Sequence, residues 1–203
     1  MSSPAFSVVD LFEQKMAEFA GAKYGVALAS CTDALFLCFK YRKAREVIFP
    51  ARTYISAVSA AIHAGAKITF LEQEWSGIYR ITPTDIWDGA VRMKKGMYQG
   101  GLHCVSFQAS KALSIGRGGM VLTNDKKAVE WLKLARHDGR HVDVPFKLDD
   151  IQMVGWNCYM SPEQAARGLQ LLEGIGSGVE DRFCSDDYPD LRNMSIFKNG
   201  LVC

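Results

Sequence analysis

A single lysine, Lys111, lies between two apolar stretches, beside hydroxyl groups and a glycine-rich loop. Residues 106–111 read SFQASK, residues 116–119 read GRGG, and the apolar run 120–122 follows. A lysine on an exposed helix is usually a solvated charge. One that is flanked by small residues at the edge of a buried sheet can instead be desolvated and become a nucleophilic amine. Lys111 is therefore the first candidate for chemistry.

A second candidate segment, residues 30–35 with the sequence SCTDAL, follows an earlier apolar stretch and opens a helical pattern. Backbone amides at a helix N-terminus, together with hydroxyl groups, can hold a phosphate, and the helix dipole adds about 0.3–1 kcal/mol. Taken alone, the segment is better explained as an ordinary helix cap, because Thr and Asp cap many helices.

A third candidate, Asp88, ends a short apolar stretch and precedes Gly89. Its carboxylate could bind a sugar hydroxyl or a metal, or pair with a protonated ring nitrogen. In isolation, an aspartate that forms a turn before glycine is the simpler interpretation. Together, however, a phosphate site, a carboxylate at the end of one strand and a lysine at the end of another are the three anchors that pyridoxal phosphate (PLP) requires.

Hydrophobic periodicity predicts alternating strands and helices that would position these residues. The predicted helices cover residues 8–19, 33–41, 54–64, 126–136 and 161–172, and the predicted strands cover residues 24–29, 46–49, 67–71, 85–87, 101–107 and 119–123. Such a series builds an α/β fold with a mainly parallel sheet flanked by helices, in which ligands bind beyond the carboxyl ends of the strands. We expect one main domain over residues 1–172 and a short tail over residues 173–203.

Composition excludes several classes of protein. The 203 residues are 48% hydrophobic and 23% charged, which suits one domain with a core, and the net charge of +2 does not predict a nucleic-acid partner. No apolar run approaches the roughly 18 residues that span a bilayer, and residues 1–5 do not begin a secretory signal, so we expect a cytoplasmic protein with no membrane partner. The six scattered cysteines predict neither a disulfide framework nor a metal site.

Short motifs along residues 8–172 resemble, in order, those of the DegT/DnrJ/EryC1/StrS family of sugar aminotransferases. They are CTDAL at 31–35, FPARTY at 49–54, GAK at 65–67, WDGA at 87–90, SF at 106–107 with Lys111, GRGG at 116–119, TND at 123–125, GWN at 155–157, MS at 160–161 and QAA at 164–166. The resemblance implies fold type I of PLP-dependent enzymes and PLP as cofactor. It also implies transfer of an amino group, from glutamate, to a nucleotide-linked keto-sugar.

The resemblance assigns the two catalytic roles to Lys111 and Asp88. Lys111 is implied to attach covalently to the cofactor aldehyde and later to move the proton between substrate and cofactor. Asp88 is implied to keep the ring nitrogen protonated, so that the ring accepts the electron pair left when that proton is removed. Tyr54 is implied to stack on the cofactor ring.

Further roles concern the cofactor phosphate. Thr32, the amide of Asp33 and Ser106 match the positions that bind it. Asn157 matches an asparagine that reaches across a dimer interface toward the partner's cofactor phosphate, so the resemblance also implies a homodimer. Without the ordered motifs, a core aromatic at Tyr54, a strand-end hydroxyl at Ser106 and a turn residue at Asn157 would be the simpler interpretations.

The chain departs from the family pattern at five positions. Cys31 replaces a glycine, Ala112 an asparagine, Arg117 a glutamate and Tyr159 an arginine. Val91 replaces a glutamine or histidine near the ring hydroxyl, and valine cannot donate a hydrogen bond.

Two segments are also shorter than the family pattern. Residues 72–87 leave no room for the usual strand, helix and strand, and residues 173–203 replace a small domain that closes over the substrate. We therefore expect a reduced sheet, a truncated small domain and a more open sugar pocket.

Other functions stay open. One is a PLP enzyme with a different reaction, although the sugar dehydratases of this family carry histidine where Lys111 stands. Another is a non-catalytic or regulatory relative of a full-length enzyme, which the short segments favour and which Lys111 and Asp88 oppose. A nucleotide loop at 116–119 or 174–178 is disfavoured, because neither glycine run has the required strand, spacing and helix. His137 and His141 flank a glycine turn without a third ligand, so no metal is predicted there.

Overall fold

The computed structural model describes residues 6–198, so the first and last five residues, including Cys203 and the end of the predicted tail, lie outside it. The helices are α1 (Ser7–Ala20), α2 (Cys31–Arg42), α3 (Ile55–His63), α4 (Lys126–Ala135), α5 (Pro162–Glu173) and the short α6 (Ser195–Lys198). The strands are β1 (Tyr24–Leu28), β2 (Glu46–Pro50), β3 (Lys67–Leu71), β4 (Tyr79–Ile81), β5 (Ile86–Asp88), β6 (Met93–Lys94), β7 (Leu102–Ser106), β8 (Gly119–Thr123) and β9 (Gly178–Val179).

The main sheet is mixed, which corrects the prediction of a mainly parallel one. Its order is β1-β8-β7-β5-β4, and only β5 and β7 pair in parallel. Strand β8 runs antiparallel to both β1 and β7, and β4 runs antiparallel to β5. A parallel pairing needs a long crossover, whereas the connections 82–85 and 107–118 contain no helix, so the chain returns antiparallel at both places. Strands β1, β5 and β7 nevertheless point the same way, and their carboxyl ends share one edge. A separate parallel pair, β2 and β3, accompanies this sheet.

Two apolar clusters cover the two faces of the sheet. One packs β1, β7 and β8 against α2, α3 and α4, and the other packs them against α1 and α5. Side chains alternate between these layers, since Val26 and Leu28 belong to the first cluster and Ala27 belongs to the second. Every residue of β7 and β8 is buried, as expected for a strand covered on both faces.

Helix boundaries follow from local capping. Helix α2 begins two residues earlier than predicted, because the hydroxyl oxygen of Ser30 accepts a hydrogen bond from the Asp33 amide at 3.0 Å. Helix α5 begins as predicted, with Ser161 as N-cap and Pro162 in the first turn. The Gln164 amide donates to the Ser161 hydroxyl, and the Ser161 amide donates to the Gln164 side-chain oxygen.

The short segment between β3 and β5 forms a hairpin. All of residues 72–85 are described, and they contain β4 but no helix, so the unit predicted to be missing is absent from this part of the chain. The end of the described chain packs back on this region. Strand β9 pairs with β6, the Ser185 amide donates to the Trp75 carbonyl at 3.0 Å, and the Leu191 amide donates to the Ala51 carbonyl at 2.9 Å. The division into a domain and a tail at residue 172 stays a prediction.

Within residues 6–198, no helix has both the length and the apolar character needed to cross a membrane.

Candidate active site

A pocket of about 360 Å³ lies at the shared carboxyl edge of β1, β5 and β7, against the first turn of α2. Five of the seven predicted site residues line this pocket, and they are Thr32, Tyr54, Asp88, Ser106 and Lys111. The parallel direction of β5 and β7 brings the strand-end residues Asp88 and Ser106 to the same edge.

The Asp88 carboxylate is buried and held by two hydrogen bonds. Its Oδ2 accepts from the Tyr79 hydroxyl at 2.7 Å, and its Oδ1 accepts from the Ala90 amide at 3.0 Å. Burial raises the pKa of Asp88, because desolvation outweighs the opposing effects of these two bonds and of the Lys111 charge. The site therefore favours a cationic group placed against this carboxylate.

Lys111 is half-buried in the loop between β7 and β8, and its neighbours fix that loop. Leu113 and Ile115 are buried in the core, and the Phe107 amide donates to the Gly118 carbonyl at 2.9 Å. The Lys111 ammonium lies 5.9 Å from the ring centre of Phe183. The loop thus presents one amine to the pocket from an anchored backbone.

The first turn of α2 also lines the pocket and provides hydrogen-bond donors. The amides of Cys31 and Thr32 begin the helix, where backbone N–H groups have no partner within the helix. The Asp33 amide is occupied by Ser30, and Asp33 lies outside the lining of the pocket. A side chain at Gly119 could not be accommodated, since its Cβ would lie 2.3 Å from the Cys31 nitrogen, so β8 approaches this turn closely.

Tyr54 and Asn157 differ in how they are placed relative to the pocket. Tyr54 is 63% exposed and lies at the rim of the pocket. Asn157 lies away from the pocket, and its amide donates to the Asp138 carboxylate at 3.2 Å. Within one chain, therefore, the structure does not bring Asn157 to the other site residues.

Sequence reasoning did not identify several polar and aromatic residues that line the pocket. Tyr79 is buried and lies 2.7 Å, hydroxyl to hydroxyl, from Thr53. Tyr79 could have been recognised from the alternation of β4, in which Tyr79 and Ile81 are buried and Arg80 is exposed. A strand of three residues, however, is too short for this alternation to be detected in the sequence. Tyr188, from the predicted tail, also lines the pocket, and its ring centre lies 5.4 Å from that of Trp75.

Arg117, one of the departures from the family pattern, adds a second cation to the pocket lining. Its Nε donates to the Ala29 carbonyl at 3.2 Å, directly before the Ser30 cap of α2. The donors and positive charge near this turn suit an anion such as a phosphate.

A sequence model of the DegT/DnrJ/EryC1/StrS aminotransferase family matches residues 6–91 and 92–183. The chain belongs to this family. It is 25% identical to a UDP-4-amino-4,6-dideoxy-N-acetyl-beta-L-altrosamine transaminase from Campylobacter jejuni, over 86% of the chain and 58% of that protein. It is 26% identical to the spore coat polysaccharide biosynthesis protein SpsC from Bacillus subtilis, over 82% of the chain and 57% of that protein. The chain thus spans less than three fifths of the length of these curated relatives.

Solved structures show the same fold. The chain superposes on 3-amino-5-hydroxybenzoic acid synthase with a TM-score of 0.72 and 20% identity, over 83% of the chain and 56% of that structure. An aminotransferase of the same family from Brucella abortus gives a TM-score of 0.71 at 21% identity, over 82% of the chain and 58% of that structure. The prediction of fold type I is confirmed. Membership of the family implies PLP as the cofactor, as predicted.

The pocket fits this cofactor. It offers an amine at Lys111, a buried carboxylate at Asp88 and hydrogen-bond donors at the first turn of α2, which are the groups that an aldehyde, a pyridine nitrogen and a phosphate require.

Proposed function

We propose that this chain binds PLP in the pocket and transfers an amino group, with glutamate as donor, to a nucleotide-linked keto-sugar. The observation that carries the proposal is the convergence of Lys111, Asp88 and the first turn of α2 on one pocket. The nucleotide-linked sugar is supported by relatives, among them the transaminase above and a GDP-perosamine synthase from Caulobacter vibrioides that is 24% identical.

In this proposal Asp88 holds a proton on the ring nitrogen. A buried carboxylate without a cation is costly, and no Lys, Arg or His side chain within residues 6–198 forms an ion pair with it. A protonated ring nitrogen against Asp88 would supply that cation. Losing the carboxylate should therefore impair chemistry more than binding.

The cofactor, when bound, supplies a carbonyl carbon that takes the amine and a ring that accepts an electron pair. Lys111 would hold it through Nζ and, once the amino donor has displaced that nitrogen, would move the proton from the donor's α carbon to the carbon at which the cofactor carried its carbonyl oxygen. The Thr32 and Ser106 hydroxyls and the Thr32 amide would bind the phosphate, and Tyr54 would cover the ring from the rim.

A homodimer is part of the proposal. The loop that precedes Asn157 exposes large apolar side chains, with Phe146 at 67%, Leu148 at 77% and Val154 at 88% exposure. An apolar surface of this kind marks an interaction site. A second copy seated there would cover it and let Asn157 extend toward the partner's pocket.

The dimer is tested by measuring the solution mass of the wild-type chain and of Leu148→Asp. We expect a dimer for the wild type and a monomer for Leu148→Asp, whereas Leu11→Asp, at a 45% exposed position on α1, should remain dimeric. A monomeric wild type would contradict this part of the proposal.

The transfer is tested by loading the purified protein with PLP, adding glutamate, and following the visible absorbance together with the release of 2-oxoglutarate. We expect the absorbance of the bound cofactor to fall as one equivalent of 2-oxoglutarate forms, and to recover with nucleotide-linked keto-sugars. Lys111→Ala should show neither change, whereas the matched variant Lys127→Ala should behave as the wild type. A wild type that takes up no PLP, or that ignores amino donors, would show the proposal to be wrong.

A further inference from the structure

Tyr79 forms the centre of a buried hydrogen-bonded chain that ends on Asp88. The Thr53 hydroxyl lies 2.7 Å from the Tyr79 hydroxyl, which in turn lies 2.7 Å from Asp88 Oδ2. Exposure of the three residues is 2%, 3% and 7%. We propose that Tyr79, itself oriented by Thr53, is a positioning residue that fixes the Asp88 carboxylate for the ring nitrogen of the cofactor, a role that rests on the proposed binding of PLP.

The direction of these bonds follows from the number of protons. An ionised carboxylate only accepts hydrogen bonds, so the single phenolic proton of Tyr79 must go to Asp88. The phenol oxygen then has lone pairs but no proton left, and Thr53 must donate to it. Burial, and next the Asp88 charge, raise the pKa of Tyr79 well above its ordinary value, so the phenol keeps its proton. Thr53 therefore donates to Tyr79, and Tyr79 donates to Asp88.

These hydrogen bonds restrain the Asp88 carboxylate but leave it able to accept further hydrogen bonds. Oδ2 receives the phenol and Oδ1 receives the Ala90 amide, and each oxygen keeps a further lone pair. Because Asp88 lines the pocket, a free lone pair can face a group bound there. Two donors on two different oxygens define the plane of the carboxylate, which is what an in-plane N–H donor on the cofactor requires.

Tyr79 comes from the segment that is short in this chain. Strand β4 places it beside Asp88, since Tyr79 and Asp88 are direct partners in the antiparallel pairing of β4 and β5. Its ring packs on Trp75 with centres 5.0 Å apart, so a phenylalanine at this position would keep the packing and lose only the hydroxyl. Tyr24 is the control, because it is 37% exposed at the start of β1 and does not line the pocket.

The test measures the dissociation constants of PLP and of its analogue with carbon in place of the ring nitrogen, by equilibrium dialysis against apo protein. We expect Tyr79→Phe to weaken PLP about tenfold, because the unrestrained Asp88 carboxylate aligns poorly with the protonated ring nitrogen, and to leave the analogue within about twofold. Thr53→Val should weaken PLP in the same direction by about threefold. Tyr24→Phe should bind both ligands as the wild type does.

Thermal unfolding of each apo variant first shows whether it folds. If Tyr79→Phe does not fold, Thr53→Val provides the test in its place. Equal affinities of Tyr79→Phe and the wild type for PLP would overturn the positioning role while leaving the proposed function intact. An equal loss for PLP and the analogue would also overturn it, since that pattern reports the shape of the pocket. A wild type that binds neither ligand would overturn the proposed function and the role of Tyr79 together.

Discussion

At the scale of single residues, the proposed chemistry depends on Asp88, a buried carboxylate that destabilises the folded protein when no cationic ligand is bound. Asp88 is buried, and its raised pKa means that the folded chain binds this proton more tightly than the unfolded chain, whose value is near 3.8. The contribution of Asp88 to stability therefore falls as the pH rises through the raised pKa, and it stays low at neutral pH. A protonated ring nitrogen would reverse that cost.

This predicts a pH-dependent difference between the wild type and Asp88→Asn, whose side chain cannot titrate. For the apo proteins, the unfolding free energy of the wild type relative to Asp88→Asn should decrease as the pH rises from about 4 to 7. Saturating PLP should stabilise the wild type more than the variant. Denaturant titrations at several pH values check both effects, and curves that stay parallel with and without PLP would contradict the role of Asp88.

The sequence predicted Lys111, Asp88 and Thr32 at one pocket because they lie near the ends of predicted strands or the start of a helix, and such positions share one edge of an α/β sheet. The resemblance to the family added Ser106. The sequence did not predict Tyr79, because the partner of a buried carboxylate is chosen by the pairing of β4 with β5 and not by any local pattern.

At the scale of elements, most helices and strands lie within one or two residues of their predicted bounds, whereas the pairing of the strands differs. Periodicity reports which face of an element is buried, and it does so well for α1. It does not report whether a connection crosses over or turns back. Strand β8 therefore runs opposite to the direction that a simple alternating series predicts.

Strand β7 contains a buried histidine that lowers the free energy of unfolding, and this effect can be measured. His103 is fully buried, and both of its ring nitrogens lack a hydrogen-bond partner within residues 6–198. Burial, and next the Arg92 charge, lower the pKa of His103 from 6.5 to about 3. The folded chain thus keeps the imidazole neutral, and stability is lost as the pH falls below the unfolded value toward about 3.

His103→Leu should therefore stabilise the protein by about 1 kcal/mol at pH 7.5, because it removes unpaired buried nitrogens. The gain should grow by about 2 kcal/mol at pH 5, where the unfolded wild type binds an extra proton. Urea denaturation at the two pH values measures it. An equal gain at both pH values for His103→Leu would contradict a buried neutral histidine.

At the scale of the whole molecule, the residues after α5 pack beside the pocket. They belong to the part of the chain that the sequence analysis predicts to be a short tail. Asp181 forms ion pairs with Arg92 at 2.6 Å and Lys94 at 3.0 Å, and it is only 11% exposed. Farther along, Phe183 lies beside the Lys111 ammonium and Tyr188 lines the pocket. The sequence could not predict this docking, because it depends on pairings between residues about 90 positions apart in the chain.

Asp181→Ala should therefore loosen residues 178–191 and cost about 1–3 kcal/mol of unfolding free energy, since two cations lose their partner. Hydrogen exchange should show faster exchange of the Gly77 and Ser185 amides, which bond across this contact. Asp186→Ala, at an exposed position, should leave both unchanged. Unaltered protection in Asp181→Ala would mean that the backbone bonds hold the segment without the ion pairs.

Borohydride reduction of the PLP-loaded protein, followed by peptide mass spectrometry, identifies the lysine that holds the cofactor. We predict that the cofactor becomes permanently attached to the peptide containing Lys111, that Lys111→Ala carries no label, and that Lys127→Ala is labelled as the wild type is. Labelling at another lysine, or none in the wild type, would contradict the assignment of Lys111 as the residue that holds the cofactor.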